Sequence, residues 1–225
     1  VLGDNLVFVA EAERLERLRA TRFLINGEGA TFRASSPADF GLPGDPKPDL
    51  VLVAVKNYDL AQVLPTLERI SGPDTVIVSV LNGIESEPLI EAAVPGATVL
   101  YCCVQAMDAG KAGTVLNFTN RGYLDRVLDL FQACGLEARV PADIQKSLWS
   151  KWMLNVGVNQ VSALAGATFR EFRHDQDLRN LMADAMAEVA ALARASGVDL
   201  GQADIDAWFP IIEGLGADGK TSMLQ

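Results

Sequence analysis

The chain has little of what metal and disulfide chemistry needs. Among 225 residues there is one histidine, His174, and three cysteines, Cys102, Cys103 and Cys134. No Cys-x-x-Cys spacing occurs, and His174 sits in a charged segment, so no metal site is expected. The odd cysteine count reads as buried free thiols, with adjacent Cys102 and Cys103 on opposite faces of a strand. Such usage fits a reducing cytoplasm. Basic charge is also short. Nineteen Lys and Arg stand against 29 Asp and Glu, for a formal net charge of −10. A general nucleic-acid binder needs a basic surface, so nucleic acid is not an expected partner. An anionic ligand must instead be met by local donors. No apolar run approaches the roughly 20 residues of a membrane-spanning helix, and no secretory signal opens the sequence.

What is present is a large apolar fraction, 49%, enough for a substantial core without cross-links. Leu6 to Ala10 is predicted as a short buried strand. A charged helix from Glu11 to Ala20 follows, then a hairpin across Asn26-Gly27. Ser35 to Pro48 reads as a loop. Asp49 to Val55 is a nearly continuous apolar strand, as in a parallel sheet covered on both faces. A helix over Asp59 to Ile70 contains Pro65, a site for a kink or restart. Thr75 to Val80 and Thr98 to Val104 are further strands, with a helix around Glu87 to Ala93 between them. Leu124 to Cys134 reads as a helix stopped by Gly135, and Leu136 to Val140 as an edge strand.

After Pro141 the pattern turns helical. Ile144 to Ala165 forms one long helical pattern. Gln176 to Ser196 forms another, with Leu178, Leu181, Met182, Met186, Val189, Leu192 and Ala193 inward. A third covers Asp204 to Leu215, interrupted near Pro210, and Lys220 to Gln225 reads as the start of another helix. The expected architecture is α/β: a Rossmann-type parallel sheet domain over residues 1–141, then an all-helical domain over 142–225.

The segment Lys151-Trp152-Met153-Leu154-Asn155-Val156-Gly157-Val158-Asn159 puts an amine and two carboxamides at i, i+4 and i+8 of a helix, along one face. Buried polar groups need partners. A bound substrate is one source of them. Exposed solvation of Lys151 and helix–helix hydrogen bonding by Asn155 and Asn159 are others. Taken singly, Asn82-Gly83 reads as a turn, Lys56 as a solvated charge at a strand end, and Ser222 as an ordinary helix serine.

In their order and spacing, four groups of residues resemble the ketopantoate reductases. They are Val53-Ala54-Val55-Lys56, Leu81-Asn82-Gly83, Leu148-Trp149-Ser150-Lys151 with Asn155 and Asn159, and Thr221-Ser222-Met223-Leu224-Gln225. That family joins a Rossmann domain to a helical domain of the 6-phosphogluconate-dehydrogenase type. The resemblance implies reduction of ketopantoate, or another small 2-keto acid, by NADP or NAD, without a metal. It implies Lys151 as general acid, Asn155, Asn159 and Ser222 as substrate-binding residues, and Lys56 and Asn82 near the cofactor and the inter-domain crevice. A homodimer follows by analogy with the fold class.

Three departures from the family pattern bear on these expectations. The family's opening strand and G-x-G-x-x-G phosphate turn have no counterpart here, and Gly27-Glu28-Gly29 is not followed by a helix. The expectation is that this segment precedes Val1, the alternative being a non-catalytic dinucleotide-binding paralogue. A family glutamate that binds substrate is expected beyond Gln225. Where the family commonly has an arginine for the adenosine 2′-phosphate, this chain has Glu11, with Arg14 one turn on. That implies NAD use or relaxed preference. The segment from Gln105 to Gly110 also differs from many relatives, which leaves room for another keto acid.

Overall fold

The computed structural model describes residues 5–20, 23–25, 28–30, 33–42, 44–108, 111–117 and 121–224. At 23–25, 28–30, 105–108, 111–117 and 121–122 only the backbone is described.

Strand β1 (Val7–Val9) leads into helix α1 (Ala12–Ala20), anchored by buried Leu15. Strands β2 (Phe23–Ile25) and β3 (Glu28–Ala30) pair antiparallel, and the Asn26-Gly27 turn between them lies outside the described residues. Strand β4 (Arg33–Ser35) then pairs parallel with β1. The sequence reading took its end for loop, because Arg-Ala-Ser carries none of the β-branched residues that mark a strand. Phe8 and Val9 are 38% and 42% exposed, so β1 is not the buried strand expected.

The main sheet has five strands in the order β5-β6-β7-β8-β9. Strand β5 (Leu50–Val53) is followed by α2 (Leu60–Ile70), β6 (Val76–Ser79), α3 (Ser86–Ala93) and β7 (Thr98–Asp108). Strand β8 (Lys111–Asn117), α4 (Arg121–Ala133) and β9 (Glu137–Arg139) complete it. Strands β5, β6 and β7 run parallel, whereas β8 is antiparallel to β7 and β9 parallel to β8. Every residue of β6 is buried. Ile77 packs with Leu60, Leu67 and Ile90 on one face, while Val76 and Val78 pack with Leu124, Val127 and Phe131 on the other. The period-two alternation thus feeds two cores, which is why the strand reads as continuously apolar. The cover is incomplete at β5, where Leu52 is 48% exposed. Helix α2 runs through Pro65 without interruption.

The helical part starts with α5 (Ile144–Leu154), whose N-terminus is capped by Asp143 accepting from the Lys146 amide at 2.9 Å. The helix does not continue as α. Asn155–Gln160 is a π segment with i→i+5 bonding, and α6 (Val161–Ala165) follows, closed by left-handed Gly166. Helices α7 (Phe169–His174), α8 (Gln176–Ala195), α9 (Gln202–Asp206) and α10 (Trp208–Gly214) pack around Met153, Val158, Phe172, Met182, Met186 and Leu200. The interruption expected near Pro210 falls at Ala207, between α9 and α10. A proline ring clashes with the carbonyl four residues back, here that of Asp206. Leu181 and Leu192 are 48% and 51% exposed and so lie outside the α8 core face on which they were expected. Residues 222–224 form a turn instead of a helix.

Gly157 lets the π segment approach α8 closely. A Cβ there would stand 2.6 Å from Met186 Cγ and 3.1 Å from the Met182 carbonyl oxygen. Met186 is fully buried, so its side chain has little room to yield. Gly157→Ala is expected to destabilise the protein by roughly 1–3 kcal/mol, the usual cost of overpacking, as read by urea unfolding. A gain of about 1 kcal/mol, as helix propensity alone would give, contradicts the close approach.

Candidate active site

The two parts of the chain meet where β7 crosses α5. Cys103 of β7 packs with Ile144 and Leu148 of α5, joined by Tyr101 and Ile84, and its thiol donates to the Ser147 carbonyl at 3.9 Å. One turn further along α5, the partly buried Lys151 ammonium donates a hydrogen bond to the Val104 carbonyl. An ammonium has three N–H donors, so this contact leaves two for other acceptors. Burial pushes the Lys151 pKa below the ordinary lysine value, and the neighbouring Cys103 and Cys102 oppose that shift. An ordinary solvated lysine, the alternative reading of this residue, does not fit its burial.

Helix α5 is fixed from its other side. Lys146 pairs with Asp204 of α9 at 3.0 Å, and Trp208 of α10 donates its indole N–H to Ser150 Oγ at 3.2 Å. Trp149 and Trp152 stack edge to face with centroids 5.3 Å apart. A depression lined by Pro141, Asp143, Lys146, Ser147 and Ser150 lies on this flank and does not include Lys151.

Asn155 and Asn159 follow Lys151 on the π segment, both partly buried. Such segments occur often at functional sites. Ser222 is exposed, one residue beyond Thr221. Buried Thr221 donates to Ser162 Oγ at 3.1 Å, and Ser162 donates to the Ala167 carbonyl at 2.6 Å. The turn bearing Ser222 is thereby tethered three residues past Asn159.

Lys56 and Asn82 are exposed beyond the C-terminal ends of β5 and β6, adjacent parallel strands. Ligands of doubly wound sheets sit at such ends. Gly83 has φ +114, a conformation that favours glycine, and it shapes the turn that carries Asn82. Ile84 of the same turn packs against the core clusters of α5 and the helical part. The structure therefore brings the Asn82 turn, β7 and the Lys151 helix together. Glu11 and Arg14 are exposed at the start of α1, beyond the end of β1, and no side-chain hydrogen bond or ion pair among the described residues links them to α5.

Sequence reasoning missed the buried polar residues behind the Asn82 turn. Glu87, 1% exposed, accepts from Ser86 Oγ at 2.8 Å, and the Ser86 and Ser79 hydroxyls are 2.8 Å apart. Glu87 Oε1 has no hydrogen-bond partner. Burial raises the Glu87 pKa, opposed by Ser86 and by the nearby backbone amides of Glu87 and Cys102. In the sequence Glu87 looks like an acidic residue in the first turn of a helix, favoured by the helix dipole, and nothing marks it as buried. The Cys102 thiol is pushed up to about 12, first by burial, then by Cys103 and Glu87. It stays protonated and unreactive at neutral pH. Cys134, in contrast, is exposed and not the buried thiol expected.

Among the described residues there is no His, Cys, Asp and Glu grouping fit for a metal ion, and no helix long and apolar enough to cross a membrane.

Comparison with known proteins places this geometry in a family. A relative from Pyrococcus abyssi, 2-dehydropantoate 2-reductase, is 26% identical over 80% of this chain, and the match spans 63% of the relative's length. Among solved structures, a PanE/ApbA family ketopantoate reductase from Ralstonia eutropha JMP134 superposes with a TM-score of 0.80 at 21% identity, covering 98% of this chain and 76% of that one. A D-mandelate dehydrogenase solved with NADH and anilino(oxo)acetate superposes with a TM-score of 0.81 at 18% identity, covering 99% and 78%. These two likenesses establish the fold: an α/β sheet part followed by a helical part. The models for "Ketopantoate reductase PanE/ApbA" and its C-terminal part match residues 2–124 and 143–225. The chain belongs to the ketopantoate reductase PanE/ApbA family.

Proposed function

We propose that the protein reduces a small 2-keto acid, ketopantoate in the first instance, with a nicotinamide dinucleotide. The observation that carries this reading is the Lys151 ammonium held at the junction of β7 and α5, partly buried and depressed in pKa. We divide the protein for this purpose into a cofactor domain, 1–141, and a substrate domain, 142–225. The donor set suits a dinucleotide: a cation and a carboxamide, Lys56 and Asn82, beyond adjacent parallel strands, and the carboxylate of Glu11 beyond β1. The G-x-G-x-x-G spacing of Gly214, Gly216 and Gly219 follows helix α10 rather than a strand, so it is not the strand–turn–helix that cradles a pyrophosphate. When bound, the cofactor supplies the hydride.

The chain's own residues do the rest. Lys151 donates a proton to the keto oxygen and stabilises charge developing there. Burial makes this proton easier to release than an ordinary lysine's. Asn155 and Asn159 hold the substrate along the π segment, and Ser222 takes its carboxylate, so orientation supplies part of the rate. Metal is not part of the scheme. Cytoplasmic location and a homodimer belong to the same proposal, the first from the free thiols and the second by analogy with the fold class.

Lys151→Ala is expected to lower kcat by about 10²–10⁴-fold, the span of general acid catalysis, with the dinucleotide Kd nearly unchanged. Equal turnover removes Lys151 from the mechanism. In the wild type the acid form of Lys151 is lost as pH rises through its lowered pKa. Reduction should therefore fall on the alkaline side with a midpoint below the ordinary lysine value of 10.5. A rate flat to pH 10.5 contradicts the assignment. A panel of 2-keto acids assayed beside ketopantoate tests the substrate class.

Glu11 repels a 2′-phosphate and suits a free ribose diol. NADH should therefore give kcat/KM at least equal to that with NADPH when the two are compared side by side. A strong NADPH preference refutes the role given to Glu11.

A further inference from the structure

The buried carboxyl of Glu87 has no part in the proposed chemistry, yet it lies between two elements that do. Through Ser86 Oγ and Ser79 Oγ it is linked to the end of β6, and Ser79 Oγ accepts from the Leu81 amide at 3.4 Å. The next residue is Asn82. The helix that carries Glu87, α3, packs on β7, where the Tyr101 hydroxyl donates to Glu91 at 3.1 Å. Three residues further along β7, the Val104 carbonyl holds Lys151. Ile84 closes the arrangement by packing against Cys103, Ile144 and Leu148.

We propose that Glu87 is a positioning residue: with Ser79 and Ser86 it clamps the 82–84 turn to β7, and so sets Asn82 and Lys151 in one fixed geometry across the crevice. This rests on the reductase reading.

What the clamp requires is an acceptor for Ser86 Oγ, which Glu87 Oε2 supplies at 2.8 Å. A carboxylate with one oxygen unpartnered in an apolar setting is costly. Of the titratable groups around it, Glu91 and Tyr101 do not favour its charge, and Cys102 is a protonated thiol. Lys151 is engaged by Val104. A carboxamide should therefore replace the carboxyl without loss, whereas deletion of the group should release the turn.

The test compares Glu87→Gln and Glu87→Ala in the complete protein. Glu87→Gln should keep kcat within about twofold of wild type. Glu87→Ala should lose roughly tenfold or more in kcat, because small misplacements of reacting groups are costly, and backbone amides at 82–84 should exchange hydrogen faster. Stability supplies a further readout. A raised carboxyl pKa gives stability that is full below 4.5 and lost as pH rises through the folded value. That loss should vanish in Glu87→Gln. If Glu87→Ala lowers only the melting temperature, with kcat and exchange at 82–84 unchanged in the folded protein, the residue is merely structural and the proposal fails. If Gln and Ala lose activity equally, an acceptor for Ser86 Oγ is not what sets the turn, and the proposal fails. Should wild type reduce no keto acid, the reductase reading falls. Hydrogen exchange then still decides the clamp.

Discussion

One hydrogen bond, from the Lys151 ammonium to the Val104 carbonyl, ties the two halves of the molecule together at the point where chemistry is proposed. It crosses from the helical part to a strand of the sheet. The apolar contact of Cys103 with Ile144 and Leu148 lies alongside it. A lysine amine is normally found in water. Here the fold spends stability to hold one partly buried, and the lowered pKa records that cost. The surrounding structure accounts for how it is held. Asp143 starts the helix, Asp204 and Trp208 fix its outer flank, and Gly157 seats its continuation against α8.

The same junction gathers candidate residues from both halves of the chain. Strand ends of the parallel sheet present Lys56 and Asn82, while the π segment presents Asn155 and Asn159. Ile84 of the Asn82 turn packs onto the helix that carries Lys151. Behind that turn the polar groups are buried and joined to each other, from Ser79 through Ser86 to Glu87. Buried networks of this kind rigidify what they touch.

Much of the fold was legible because its signals are local. Apolar runs such as that of β6, and the spacing of Met182, Met186 and Val189, report burial directly. Where signals were weak, the reading failed. β4 has no β-branched residues, and α7 is short, although Thr168 and Glu171 form a capping box that was there to be read. Leu181 and Leu192 are apolar but lie off the buried stripe, which residue type alone does not reveal. At the site, the spacing of Lys151, Asn155 and Asn159 was visible. The π winding was not, since the residue spacing carries no mark of it. Glu87 was invisible too: its burial comes with the packing of its helix, and an acidic residue in a first helical turn gives no sign of that.

The account stands or falls on where the amine goes when substrate is present. A crystal structure of the complete protein with a nicotinamide dinucleotide and ketopantoate decides this most directly. The account expects Lys151 Nζ within about 3 Å of the keto oxygen, the reach of a proton donor, with Asn155, Asn159 and Ser222 on the same molecule. An amine still bonded only to the Val104 carbonyl, with the keto acid seated elsewhere, contradicts it.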